Sequence, residues 1–202
     1  MSSLPGYSRD RYHFVIDLPS DYEIYDFSKG YDADRVRNSP YGIGKYDELR
    51  PGMYATALFS PASEQARNIH VGIDIGAPAG TPVFAFFDGR IHSAAINSAP
   101  GDYGGTLITE HLIDGVKLWV LHGHLSHGSL NIRAAGAEFK KGETLAYLGN
   151  KSENGGWNPH LHFQLSLKEP KACDMPGAVS AVDRERALRE YPDPRIVLGP
   201  LY

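Results

Sequence analysis

Between residues 71 and 167 the chain is cut by glycine- and proline-bearing turns into apolar runs of five to eight residues. Runs of that length suit strands and are too short for ordinary helices. Val83-Phe84-Ala85-Phe86-Phe87, then Asp88-Gly89, then Arg90-Ile91-His92-Ser93-Ala94-Ala95-Ile96 predicts a hairpin about a turn dipeptide. Further strands are expected over 106–111, over 116–121 after the turn Asp114-Gly115, over 144–148 after Lys141-Gly142-Glu143, and over 160–167 behind Pro159. This spacing predicts an all-β sandwich or barrel. Only 182–191 reads as a helix, with Asp183 in its first turn and Pro192 stopping it. Residues 1 to about 50 are rich in Tyr, Asp, Arg and Gly and are broken by Pro5, Pro19, Pro40 and Pro51, which predicts an irregular arm pinned by aromatics.

Composition bounds the function. The chain has 202 residues, enough for one domain with extensions, and its net charge of -4 carries no footprint for nucleic acid. No apolar run approaches a membrane span, and the first residues carry no signal-peptide pattern. A single cysteine, Cys173, permits no internal disulfide and has no histidine near it in sequence. The expectation is a soluble cytoplasmic protein that binds neither nucleic acid nor membrane. There is no G-x-S-x-G elbow, Walker loop, C-x-x-C pair or dinucleotide fingerprint, and Gly42-Ile43-Gly44 lacks the third glycine of the last.

What remains is histidine. His70 lies four residues before Asp74, His122 two before His124, and His160 two before His162. Alternate residues of a strand share a face, so His160 and His162 are expected to point together, and likewise His122 and His124. His70 and Asp74 are also an even number apart, and Gly72, Gly76, Pro78 and Gly80 argue against a helix there. Imidazoles with one carboxylate are the ligand set of a catalytic zinc, which keeps a position open for water. The H-E-x-x-H helix is absent, so such a site would be assembled from strands and loops. One His-x-His alone is a weak signal; two of them, together with the His70/Asp74 pair, carry more in a β-rich chain. His13, His92, His111 and His127 lack paired partners and read as strand, turn or surface positions.

These residues resemble the LytM/lysostaphin-type zinc metalloendopeptidases. The likeness runs from about His70 to Leu167 through five segments in order: His70-Val71-Gly72-Ile73-Asp74, Gly80-Thr81-Pro82-Val83-Phe84-Ala85, Asp88-Gly89, His122-Gly123-His124-Leu125-Ser126 and His160-Leu161-His162-Phe163. Tyr103-Gly104-Gly105 and Lys140-Lys141-Gly142-Glu143 fall in register with it. The resemblance implies an antiparallel β-sandwich or hybrid barrel with a groove, and one Zn2+ held by His70, Asp74 and His162. It implies two further catalytic histidines, His124 and His160. His122 replaces a tyrosine usual in the family, which leaves His122 open as the acting member of its pair, with His124 favoured. Asn158-Pro159 replaces a usual Thr-Gly or Ser-Gly, a departure expected to reshape the groove wall. The division implied is an arm over 1–54, a zinc metallopeptidase domain over 55–170 and a helical extension over 171–202.

A narrower likeness in the flanks, at Gly44-Lys45-Tyr46-Asp47-Glu48-Leu49-Arg50, Asn154-Gly155-Gly156-Trp157, Pro176-Gly177-Ala178-Val179 and Pro192-Asp193-Pro194, resembles a signal-less subgroup of the family. Its members also occur fused to aminotransferase-like and phosphotransferase-like modules, which implies a partner enzyme of one of those types. The implied activity is hydrolysis of a peptide bond in peptidoglycan-type or Gly-containing peptides, a recycled muropeptide fitting the expected location. The alternative is a non-hydrolytic metal- or ligand-binding module of a related hybrid-barrel fold, from which Asp74 is the discriminating residue. The Tyr-rich arm, with Arg35, Arg37 and Arg50, is expected to line or shield the groove while its aromatics pack into the core.

Overall fold

The computed structural model of the protein describes residues 6–32, 39–60, 62–63 and 65–202. Arg35 and Arg37 lie outside the described residues. Thirteen strands occur among those described: β1 (Glu23–Ile24), β2 (Gly42–Gly44), β3 (Glu48–Leu49), β4 (Ile69–His70), β5 (Ile73–Gly76), β6 (Pro82–Phe84), β7 (Gly89–Asn97), β8 (Gly104–Ile113), β9 (Val116–Leu125), β10 (Glu138–Phe139), β11 (Thr144–Tyr147), β12 (His160–Ser166) and β13 (Ala178–Val179). Two short helices follow, α1 (Arg184–Glu190) and α2 (Arg195–Leu198). The mainly β expectation holds. No helix among the described residues is long and apolar enough to cross a membrane.

Eight strands form the main sheet in the order β1-β2-β5-β12-β9-β8-β7-β10, antiparallel except for the β1–β2 pair. Smaller sheets join β11 to β6 and β13-β4-β3. The long strands β8 and β9 pair about Asp114-Gly115, where both residues have positive φ, the geometry that a type I′ hairpin turn demands. One face of the main sheet, with Ile73, Ile75, Val120, Leu161, Phe163 and Leu165, packs on Val83, Ala85, Phe86 and Leu145 to make the principal core. Alternation along β12 sends His160, His162 and Gln164 to the other face.

Two expectations are corrected. The runs flanking Asp88-Gly89 are not hairpin partners: β6 pairs with β11, whereas β7 pairs with β8 and β10. Ala85 and Phe86 are fully buried, and the Ala85 N–H donates to the Glu143 carbonyl at 2.9 Å, so the chain stays with the smaller sheet before crossing over. The first fifty residues are not wholly irregular either. Ile43, fully buried, anchors β2 as a strand against β5, and this delivers the following segment to the edge of the histidine cluster.

Candidate metal centre

Three elements bring the cluster together. β4 carries His70, β5 carries Asp74 opposite β12, and β12 carries His162 in register with Asp74. Gly72 links β4 to β5 directly under the His162 ring: a Cβ built there would lie 2.5 Å from Cε1 of His162. Only a residue without a side chain lets the backbone pass this close.

The hydrogen bonds assign the protons. His70 Nδ1 lies 2.8 Å from the Lys45 carbonyl, which can only accept, so the proton sits on Nδ1 and Nε2 presents a lone pair. The Gln164 amide donates to the Pro176 carbonyl at 3.4 Å, which turns its Oε1 to His162 Nε2 at 3.0 Å. His162 therefore carries its proton on Nε2 and presents a lone pair on Nδ1. The two bare nitrogens are 3.0 Å apart, and Asp74 Oδ1 lies 3.2 Å from His70 Nε2 and 3.0 Å from His162 Nδ1. Three acceptors thus converge with no proton between them. These residues form a group able to hold a metal ion, and the outward N–H of each imidazole is tied down as in metal centres generally.

Burial reinforces the arrangement, since His70, Asp74 and His162 are all buried. Burial, with the nearby Arg50 guanidinium, pushes the His70 imidazole down to about 4, so it is neutral at pH 7. Burial opposes ionisation of Asp74, but the positive charge around it, the buried Arg50 guanidinium bonded to Oδ2 included, outweighs that and holds it well below the usual carboxylate range. Neutral imidazoles and a charged carboxylate are the protonation states that metal binding requires.

Behind Asp74 sits Arg50, only 1% exposed. Its Nη1 donates to Asp74 Oδ2 at 2.6 Å and to the Tyr54 hydroxyl at 3.1 Å, and its Nε donates to Glu48 Oε2 at 3.0 Å.

His124 and His160 stand beside the cluster with ring centroids 4.2 Å apart. Each donates Nδ1–H to a backbone carbonyl, of Asn154 at 3.0 Å and of Asn158 at 2.7 Å, and so presents Nε2 as an acceptor. Burial lowers both, His124 strongly, with His160 and His162 nearby adding to the effect on it. The Tyr103 ring packs 5.6 Å from His124 and 5.1 Å from His162, its hydroxyl fixed to the Met175 carbonyl. A cleft of about 560 Å³ includes all five of these histidine and aspartate side chains in its wall. A second groove of about 360 Å³, lined by Tyr25, Phe27, Tyr31 and Trp157, shares Asp74, His160 and Trp157 with the first. Asn158 forms part of that second wall.

The expectation that His122 and His124 share a face is corrected. Gly105 pairs with Leu125 and Leu107 with His122, so β9 spends one residue more than β8 over this stretch. His124 adopts φ +65 in the resulting bulge, which re-aims side chains across the sheet. His124 reaches the cluster, and His122 points into the core against Phe163, ring centroids 5.3 Å apart. Neither nitrogen of His122 makes a well-formed hydrogen bond there, although the Leu107 and Val120 backbone lies nearby, and burial pushes its pKa down to about 3. His122→Leu is therefore expected to raise the melting temperature by about 2–4 °C at pH 7, since an unsatisfied buried polar ring costs about 1 kcal/mol or more. The ordinary histidine pKa is 6.5 and the folded value is lower, so the unfolded chain binds the proton first. Native stability is lost as pH falls from 6.5 toward 3, and the variant's advantage should widen over that window in melting curves.

His13, His92, His111 and His127 stand outside the cluster. His111 is buried between the Asp88 carbonyl and the Thr109 hydroxyl, and His92 bonds Ser93 and Glu169.

The family model for Peptidase family M23 matches residues 68–175, a little over half of the chain and the part that carries His70, Asp74, His124, His160 and His162. The chain is a member of that family. Within the curated M23-like relatives it is 28% identical over 126 residues to peptidoglycan DD-endopeptidase ShyC of Vibrio cholerae serotype O1, covering 58% of this chain and 25% of that protein. It is 35% identical over 99 residues to DD-carboxypeptidase/endopeptidase Mpg of Neisseria meningitidis serogroup B, covering 49% of this chain and 20% of that protein. The chain thus spans a quarter or less of the length of these relatives. Among solved structures, a catalytic-domain mutant of the prophage-encoded M23 protein EnpA from Enterococcus faecalis aligns over 72% of this chain and 92% of that one, at 25% identity and a TM-score of 0.46.

The M23 match begins after Lys45, Glu48, Arg50 and Tyr54, so these supports of the cluster come from the preceding segment. Sequence reasoning placed Arg50 in a groove-lining arm but did not attach it to Asp74. Nothing in the local pattern marks an arginine for burial. Gln164 was legible in principle, because it follows His162 by two residues on one strand.

Proposed function

We propose that this chain is a zinc-dependent endopeptidase acting on peptidoglycan-type or Gly-containing peptides, with His70, Asp74 and His162 holding the ion. The observation that carries the reading is the convergence of three proton-free acceptors beside two more neutral imidazoles, where two grooves meet. Zinc held there would supply Lewis acidity toward a scissile carbonyl and an attacking water. The chain's own residues supply the rest. Nε2 of His160 or of His124 accepts a proton from the water, its ring held by Nδ1–H to a fixed carbonyl, and the same nitrogen then returns that proton to the leaving amine. The other imidazole steadies charge developing on the carbonyl oxygen. An extended peptide crossing His160 would lie with one arm in the cleft and the other along the aromatic groove. ShyC is named a peptidoglycan DD-endopeptidase, which supports peptidoglycan as the substrate. We assign the peptidase domain to 55–170, the arm to 1–54 and the extension to 171–202.

The test is digestion of purified sacculi and of soluble cross-linked muropeptides, as separate arms, with new amino termini counted. Cleavage in either arm that stops with a chelator and returns with zinc is the expected result. Intact substrate in both arms, with zinc supplied in excess, would refute the reading.

A further inference from the structure

The largest fully buried side chain of the described residues is a cation, Arg50. Ions are buried only where their surroundings compensate them, and a lone guanidinium in a core is strongly disfavoured. Arg50 is compensated on every edge. Besides Asp74, Tyr54 and Glu48, its Nη2 donates to the Lys45 carbonyl at 3.2 Å, and its face lies 4.9 Å from the centroid of the Phe27 ring.

Two of these contacts concern the cluster directly. Asp74 has two oxygens, and Arg50 engages Oδ2 at 2.6 Å, which leaves Oδ1 as the atom facing His70 and His162. The carboxylate is thereby prevented from rotating about its Cβ–Cγ bond. The Lys45 carbonyl accepts from both Arg50 Nη2 and His70 Nδ1, so one backbone oxygen ties the guanidinium to the ring of a second candidate ligand. The backbone is shaped to permit this: a Cβ at Gly44 would lie 2.8 Å from Arg50 Nη2 and 3.1 Å from Asp74 Oδ2. A planar fork of donors is what this arrangement uses, and a lysine ammonium could satisfy only part of it.

We propose that Arg50 is a positioning residue of the metal centre, orienting Asp74 through Oδ2 and His70 through the Lys45 carbonyl, so that the segment ahead of the M23 match completes the site. The inference rests on the metal-binding reading above. It makes Arg50 responsible for one-oxygen ligation by Asp74 and for the ion's affinity, not for contact with substrate.

The experiment uses the full chain with cobalt(II) or zinc. Wild type is expected to take up about one equivalent; a wild-type chain that takes up none overturns the underlying reading and this proposal with it. In Arg50→Met, zinc affinity measured against a competing chelator should fall about 10- to 100-fold, the range for lost outer-sphere partners. The visible cobalt bands should shift as Asp74 changes its ligation. Arg50→Lys should lose less, about 3- to 10-fold, because charge survives without the fork. A folded Arg50→Met with wild-type affinity and an unchanged cobalt spectrum would overturn the role. If the methionine variant does not fold, a folded Arg50→Lys that matches wild type in both readings overturns it equally.

Discussion

Replacing His162 with alanine is expected to remove both the metal and the activity. Its Nδ1 is one of three convergent acceptors, 3.0 Å from each of the other two. Two ligands remain after the change, fewer than the three protein ligands of a catalytic zinc. The loss is also unrepaired locally. Gln164, fully buried, keeps Oε1 aimed at the missing N–H, and its own orientation is set by the Pro176 carbonyl. Water entering the gap can satisfy that oxygen but cannot restore a fixed imidazole. After dialysis the variant should hold about one tenth of an equivalent or less, by atomic absorption. Hydrolysis should drop by about three orders of magnitude or more, about 4 kcal/mol of barrier. A variant that keeps a full equivalent would remove His162 from the ligand set.

Replacing His124 is expected to separate the two effects. Its ring stacks near His160 and donates to the Asn154 carbonyl, and it makes no hydrogen bond to His70, Asp74 or His162. Metal content should therefore stay at about one equivalent, and turnover should fall by about 10²- to 10³-fold, the cost of losing one proton-transfer or oxyanion partner. KM should move little. The backbone adds a condition, because His124 sits at φ +65, where alanine costs roughly 1–2 kcal/mol. His124→Asn tolerates that conformation and should show the same kinetic loss with a smaller change in melting temperature. Wild-type turnover in the asparagine variant, or loss of zinc from it, would end the assignment of His124.

These expectations differ in how far the sequence alone supports them. Strand-length runs and their turns were legible because side-chain alternation is a local property, and β12 behaves as its pattern demands. The convergence of His70, Asp74 and His162 into a group that could hold a metal ion agrees with the resemblance, since all three sit in short motifs. His122 and His124 defeat the same rule: they are two apart, yet a bulge needing one extra residue against β8 puts them on opposite faces. Pairing register decides a bulge, and register depends on both strands. The hairpin expected about Asp88-Gly89 failed for a related reason. Burial of Phe86 and the Ala85–Glu143 hydrogen bond outweighed a favourable turn dipeptide.

By itself the sequence determined the β class, the late helix before Pro192 and the chemistry of the candidate ligands, because each depends on residues close together in the chain. Tertiary structure alone decided which nitrogen of each imidazole is bare, which histidine of the His122–His124 pair reaches the cleft, and that Arg50 lies behind Asp74. Those outcomes are set by acceptors such as the Lys45 and Asn154 carbonyls and the Gln164 amide, whose positions come from strands paired across the sheets. Hydrogen bonding acts over about 3 Å, and only the folded chain brings such distant residues within that reach.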